Sequence, residues 1–465
     1  MPEAGKVFES PSDAIADFGD GASFCVGGFG PPQNRPATLL KALVEKGPKN
    51  LTLIANGFSY QPLAENELVT RFIGAFGSSA YQRGSAADKL IESGKLEFEA
   101  SPQGILTERL RAGAAGIPAF YSPVGVDTIV ADGKERREFD GREFVLETAL
   151  KPDFALVRAA RADELGNLAY DGGTRNFHPI MAAAARVTIA EVDEIVAVGT
   201  IAPEDVIIPC LYVDRIIRTQ ATSEELDGLR RPASTRGPTL GHGGDAAPRL
   251  SHEMMAMRVA RLLQRGQVVN LGLGIPTLVS NHVTADMGLL FHSENGLLGY
   301  GPFPTGEDVD WNIYNAGGQP VTLFPGASIF NSLDAFTMAR GGYVDVVILG
   351  GFQVSQQGDL ANWWAPYMVR GGIGGAMDLI AGGKSLIVMM DHTTREGEPK
   401  ILRQCTYPLT GARCVTTLMT DLALIEVSQG RLLLRETAPG VSPQEVQRLT
   451  EADLAIAPDC KPMEF

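Results

Sequence analysis

The chain has 465 residues, which suits two or three domains with ample core, and 40 Lys and Arg against 55 Asp and Glu leave a formal net charge of −15. That balance argues against nucleic acid as a partner, and 44% apolar with 20% charged residues describes an ordinary soluble globular protein. Five scattered cysteines without a C-x-x-C pair, and six histidines without ligand spacing, point to neither a disulfide framework nor a protein-held metal. The start, Met1 to Phe8, reads as neither a leader nor an anchor, and no apolar run is long enough for a membrane span. The expected location is a reducing cytoplasm.

Ser10-Pro11-Ser12-Asp13 predicts a helix with Ser10 as N-cap and Pro11 in the first helical position, ending near Gly19. Residues 22–26 read as a strand that runs into Gly27-Gly28-Phe29-Gly30. Such a turn, ahead of a helix at 38–43, lets backbone N–H groups approach a ligand, although it is no G-x-G-x-x-G fingerprint. Residues 51–57 form a second apolar strand ending in Asn56-Gly57. Residues 96–99 alternate, and Ser101-Pro102-Gln103-Gly104 leads into a helix carrying Glu108, Arg109 and Arg111. Residues 154–157 and 187–192 read as buried parallel strands, so the expected class is α/β with a mainly parallel sheet.

Residues 223–250 lose apolar periodicity and read as an interdomain linker, which divides the chain into domains 1–222 and 251–465. After it the opening order repeats. A helix at 254–263, Gly266, a strand at 268–271, the turn Gly272-Leu273-Gly274-Ile275-Pro276, another helix and another strand lead to Ser293-Glu294-Asn295-Gly296. This predicts an internal duplication with Asn56-Gly57 matching Asn295-Gly296, and two related domains facing each other across a cleft at the carboxyl ends of their strands. Only the second copy has the acid; Ala55 stands in the first. Glu294 at a strand-to-turn junction is either an exposed turn residue or a nucleophile towards activated acyl groups. His292, two residues earlier, is expected as a core histidine rather than an acid–base partner. Gly371-Gly372-Ile373-Gly374-Gly375-Ala376-Met377-Asp378, ahead of a helix, is a candidate oxyanion or phosphate cradle.

Ser293-Glu294-Asn295-Gly296-Leu297-Leu298-Gly299 resembles the active-site signature of the family I CoA-transferases. The resemblance extends over nearly the whole chain to the fused succinyl-CoA:3-ketoacid type. In the first half it rests on Gly27 to Gly30, on Thr107-Glu108-Arg109-Leu110-Arg111-Ala112-Gly113 and on Arg175-Asn176-Phe177. In the second it rests on Gly272 to Thr277, Asn315-Ala316-Gly317, Gly358 to Trp363, Gly374 to Leu379 and Gly397-Glu398-Pro399-Lys400. It implies transfer of CoA from an acyl-CoA, best succinyl-CoA, to a carboxylate, best a 3-oxoacid, through a glutamyl-CoA thioester on Glu294. It further implies an oxyanion donor at the Gly375 N–H and substrate-lining roles for Gln103, Asn56, Asn270, Gly28, Phe29 and Gly30. CoA would be substrate and product with no resident cofactor, and the assembly a homodimer.

Two departures stand out. Pro31 to Pro36 replaces the run relatives have after Gly30, and Gly318 stands where relatives commonly have Lys, with Arg35 the candidate to restore the charge. They line the inferred pocket and remove one positive charge, which bears on the family's usual acceptor, acetoacetate; 3-oxoadipate or another dicarboxylate is the alternative acceptor. A CoA-thioester hydrolase on the same scaffold and a sugar-phosphate or effector-binding module are the competing readings. No G-x-S-x-G is present, and Gly383-Lys384-Ser385 lacks the upstream glycine of a P-loop.

Overall fold

The structure, a computed structural model of the protein, describes residues 5–31, 34–77, 84–221, 249–305, 309–428 and 430–465. The first half is built on seven parallel strands in the order Arg215–Arg218, Val187–Val196, Phe154–Asp163, Ser23–Val26, Leu51–Gly57, Val69–Phe76 and Glu97–Ala100. Successive side chains leave opposite faces of a strand, so each strand feeds two cores. Phe24, Val26, Leu53, Ala55 and Leu156 pack on one face, whereas Cys25, Ile54, Ala155 and Val157 pack on the other.

The second half has a ten-stranded sheet whose five central strands, Leu290–Ser293, Val268–Leu271, Val346–Gly350, Ser385–Met390 and Thr417–Thr420, are mutually parallel. Antiparallel strands flank them on both sides. The repeated order holds in space, since Ser23–Val26 and Val268–Leu271 each lie between the next strand of their own half and a later parallel one.

The halves part company at their Asn-Gly pairs. Asn56-Gly57 stays in the strand, with Gly57 opposite Phe76 in the parallel neighbour. Gly296 instead has φ +108° and closes a tight hairpin into the antiparallel strand Leu297–Tyr300. The matched dipeptides thus do different jobs, because the next strand arrives by a crossover in one half and by a two-strand hairpin in the other.

Local expectations hold with small shifts. Ser10 caps the first helix, but the helix spans only Pro11–Ala14, and the chain then turns so that Phe18 stacks on Phe154 with ring centroids 4.3 Å apart. The helix expected after Gly274 is a 3-10 segment, Ile275–His282. Residues 223–248 of the proposed linker lie outside the described residues; of its end, Leu250 is buried in the second core and Arg249 pairs with Asp421. The halves meet through an apolar contact of Ile105 and Val124 with Trp363, Ile373 and Met377. Polar bonds join them too: Asn34 and Asn176 both donate from Nδ2 to the Tyr314 hydroxyl, at 2.7 and 3.3 Å.

Candidate active site

Glu294 sits in the hairpin turn between Leu290–Ser293 and Leu297–Tyr300. It is 5% exposed, and its Oε2 has no hydrogen-bond partner among the described residues. Burial pushes its carboxyl up to about 7; its own backbone N–H and the Asn270 amide oppose this, and the charge of Asp378 adds to it. The anion that forms near neutral pH is poorly solvated and more basic than a surface carboxylate. The exposed-turn alternative for Glu294 does not hold.

Asn270 lies opposite His292 on the neighbouring parallel strand and is fully buried. Its Nδ2 donates to His292 Nδ1 at 3.0 Å and to the His292 carbonyl at 3.2 Å. His292 Nε2 donates to the Ala335 carbonyl at 3.1 Å, which makes Nδ1 the accepting nitrogen. Burial pushes this histidine down to about 4, so the ring is neutral with both nitrogens in use. It is a core histidine that orients Asn270, as expected from its position.

From the first half, Gln103 Nε2 donates to Asn56 Oδ1 at 2.8 Å. Its Oε1 stands 3.0 Å from where a Cβ on Gly375 would lie, and its backbone N–H donates to the Gly374 carbonyl at 2.9 Å. Gly375 caps the short helix Ala376–Gly382, and among the described residues no hydrogen bond takes its N–H. Gly28 and Gly30 adopt φ +131° and +73°. Gly30 is packed against the Tyr314 ring and Gly318 of the second half, so the two departures at Pro31 and Gly318 meet in space. Phe29 differs from its expected place: its side chain is buried in the first half's core against Phe177, ring centroids 5.9 Å apart. Arg35 lies beside Gly28 and donates to the Ser59 carbonyl.

The sequence reading missed Tyr314, whose hydroxyl joins the halves and whose carbonyl accepts Asn295 Nδ2 at 2.8 Å. No periodicity or motif marks it. It also left Glu108 and Asp378 without a role although both lie in quoted motifs; with Arg340 they form a partly buried ion network between the halves, in which Asp378 is the fully buried member. A separate cavity of about 670 Å³, lined by Gly266, Gln267, Asp345, Lys384 and Ser385 among others, lies at the amino ends of the second sheet's strands and includes none of these residues.

Two related α/β halves joined through buried polar side chains define a fused two-half α/β enzyme. The chain belongs to the Coenzyme A transferase family, whose pattern matches residues 8–219 and 252–449. It is an enzyme of the CoA-transferase type. It is 39% identical over 98% of its length to the mouse mitochondrial succinyl-CoA:3-ketoacid coenzyme A transferase 2A, covering 91% of that protein. Over 44% of the chain it is 47% identical to one of the subunits of the Pseudomonas putida 3-oxoadipate CoA-transferase, covering 97% of that polypeptide. The crystal structure of an acyl-CoA transferase from Escherichia coli O157:H7 in a thioester complex with CoA matches with a TM-score of 0.80 over 98% of this chain and 95% of that one. At 23% identity that likeness bears on the fold. The expected cytoplasmic location is overturned, because the near full-length relatives from mouse, human and rat are all named as mitochondrial. Reduced cysteines suit any reducing compartment, so thiol content could not have separated the two.

Proposed function

We propose that the protein moves CoA from succinyl-CoA to a 3-oxoacid by a ping-pong route through Glu294. The observation that carries this reading is the buried Glu294 carboxyl, unpaired at Oε2 and pushed up to about 7. The substrates follow the names of the near full-length relatives. A Glu294 oxygen attacks the thioester carbonyl, the C–S bond breaks, and a mixed anhydride and CoA thiolate result. The thiolate attacks the glutamyl carbonyl and frees the donor carboxylate, leaving a glutamyl-CoA thioester. The acceptor carboxylate then runs the two steps in reverse and regenerates Glu294. The Gly375 N–H serves the tetrahedral oxyanions, a donor worth roughly 3 kcal/mol in comparable acyl transfers. Asn56, Gln103 and Asn270, with the backbone of Gly28, Phe29 and Gly30, orient the reacting groups. CoA is substrate and product, and the sequence of steps calls for no resident cofactor. Domains 1–222 and 251–465 supply the two walls, in a homodimer, and the compartment to which the relatives' names point is mitochondrial rather than cytoplasmic.

Incubation with succinyl-CoA alone is expected to add CoA, less one water, to Glu294 by intact and peptide mass spectrometry. Glu294→Ala is expected to lose the adduct and to lower turnover by roughly 1,000-fold or more. An adduct or near-normal turnover in that variant sinks the proposal. A dicarboxylate acceptor such as 3-oxoadipate is the second reading, which the Pseudomonas putida likeness supports. A panel of carboxylate acceptors separates the two. Release of free CoA without any acceptor would indicate a hydrolase instead.

A further inference from the structure

We infer that Asp378, with Arg340 and Glu108, is a clamp between the halves that positions Gln103 against Gly375 for CoA transfer; this rests on the roles proposed above for Gln103, Gly375 and Glu294. The helix Gln103–Ala114 touches the second half at Gly104 and at Glu108. The Gly104 N–H, next to Gln103, donates to Asp378 Oδ2 at 2.9 Å. Arg340 donates from Nη1 to Asp378 Oδ1 at 3.2 Å and from Nη2 to Glu108 Oε2 at 2.8 Å, so it ties the same helix at a second point. Asp378 is wholly buried and lies three residues after Gly375. One carboxylate thus holds the residue next to Gln103 on one side and stands within one helical turn of Gly375 on the other.

Packing alone does not call for this network. Ile105 already packs with Ile373 and Met377 across the same junction, and apolar contact is non-directional. A buried carboxylate costs solvation that its partners offset only with good geometry, so the expected return is orientation rather than stability. The geometry is constrained to match: a methyl group on Gly104 would overlap Asp378 Oδ1 and the Arg340 guanidinium. The helix can therefore enter at this depth only with glycine there. The result is that the Gln103 side chain, held also by Asn56, faces Gly375 at a set distance. Effective positioning of reacting groups is the contribution that such a small displacement would remove.

Asp378→Asn keeps an oxygen for the Gly104 N–H and removes the charge that holds Arg340. The expected result is a folded protein that binds free CoA within about threefold of normal but forms the enzyme–CoA thioester from succinyl-CoA roughly 10-fold or more slowly, by rapid quench and intact mass. In a Gln103→Ala background the same change is expected to slow thioester formation less than about twofold, because both changes remove one arrangement. A normal rate in the single variant, or the full slowing on top of Gln103→Ala, overturns the clamp. Glu108→Gln breaks only the outer tie and serves if Asp378→Asn fails to fold; it too must slow the step and lose that effect in the Gln103→Ala background, or the clamp is refuted. These results stand apart from the nucleophile assignment, which fails only if Glu294→Ala still forms the thioester.

Discussion

Glu294 combines a reactive role with an unfavourable setting, and both halves of that statement can be measured. Its carboxyl, ordinarily at 4.5, is pushed up to about 7 by burial, with Asp378 adding to the shift. The nucleophile is the anion, so kcat/KM for succinyl-CoA is expected to rise with pH to a midpoint near 7 and to fall away on the acid side. A midpoint near the ordinary carboxylate value would refute the buried setting. Linkage has the opposite sign for stability. The folded state binds the Glu294 proton more tightly than the unfolded state, so its contribution is fully present below the unfolded value and is lost as pH rises towards about 7. Glu294→Gln, which removes that loss, is expected to raise stability at pH 8 by on the order of 2–3 kcal/mol and to change little at pH 4. Thermal melts at the two pH values check it; an equal effect at both would contradict the assignment.

At the level of elements, the hairpin that carries Glu294 depends on one glycine. Gly296 has φ +108°, and a Cβ there would overlap the Phe330 carbonyl, whose chain neighbours the turn. Gly296→Ala is therefore expected to cost about 2–4 kcal/mol and to lower the unfolding midpoint clearly. Gly57, its counterpart in the first half, lies in an extended strand where a Cβ would meet Phe76 Cβ at 3.4 Å. Gly57→Ala is expected to cost about 1 kcal/mol or less. Similar losses in the two variants would mean that the turn is not the strained element. The duplication yields one nucleophile because Ala55 stands in the first half where Glu294 stands in the second, and only the second sets that position in a hairpin turn.

For the molecule as a whole, the joined halves behave as an interface that happens to be covalently linked. Apolar contact at Trp363 and Met377, the Tyr314 hydroxyl bonds and the Arg340 network all cross between the halves without using residues 223–248. Chains 1–222 and 249–465 expressed together are expected to copurify and to transfer CoA, because the contacts that build the cleft do not need the connection. Halves that fold separately but fail to associate would show that the connecting segment, and not the interface, assembles the site.

Local chemistry along the chain was enough for the strands, the first helix cap and the duplication, since burial on both faces makes each parallel strand a continuous apolar run and Ser10 caps its helix by its own side chain. It placed Glu294 only at a strand-to-turn junction; the family resemblance of Ser293 to Gly299 singled it out. Local chemistry was not enough to say that Asn56-Gly57 remains extended, because a tight turn and a strand end share the same dipeptide and only the direction of the next strand separates them. Nor could it reveal that Phe29 turns into the core, that Pro31 meets Gly318, or that Asp378 answers Gly104 across 274 positions of chain. Those facts depend on which surfaces the two halves present to each other. Hydrogen bonding and charge desolvation at that junction are set by distance in space, and spacing along the chain carries no record of it.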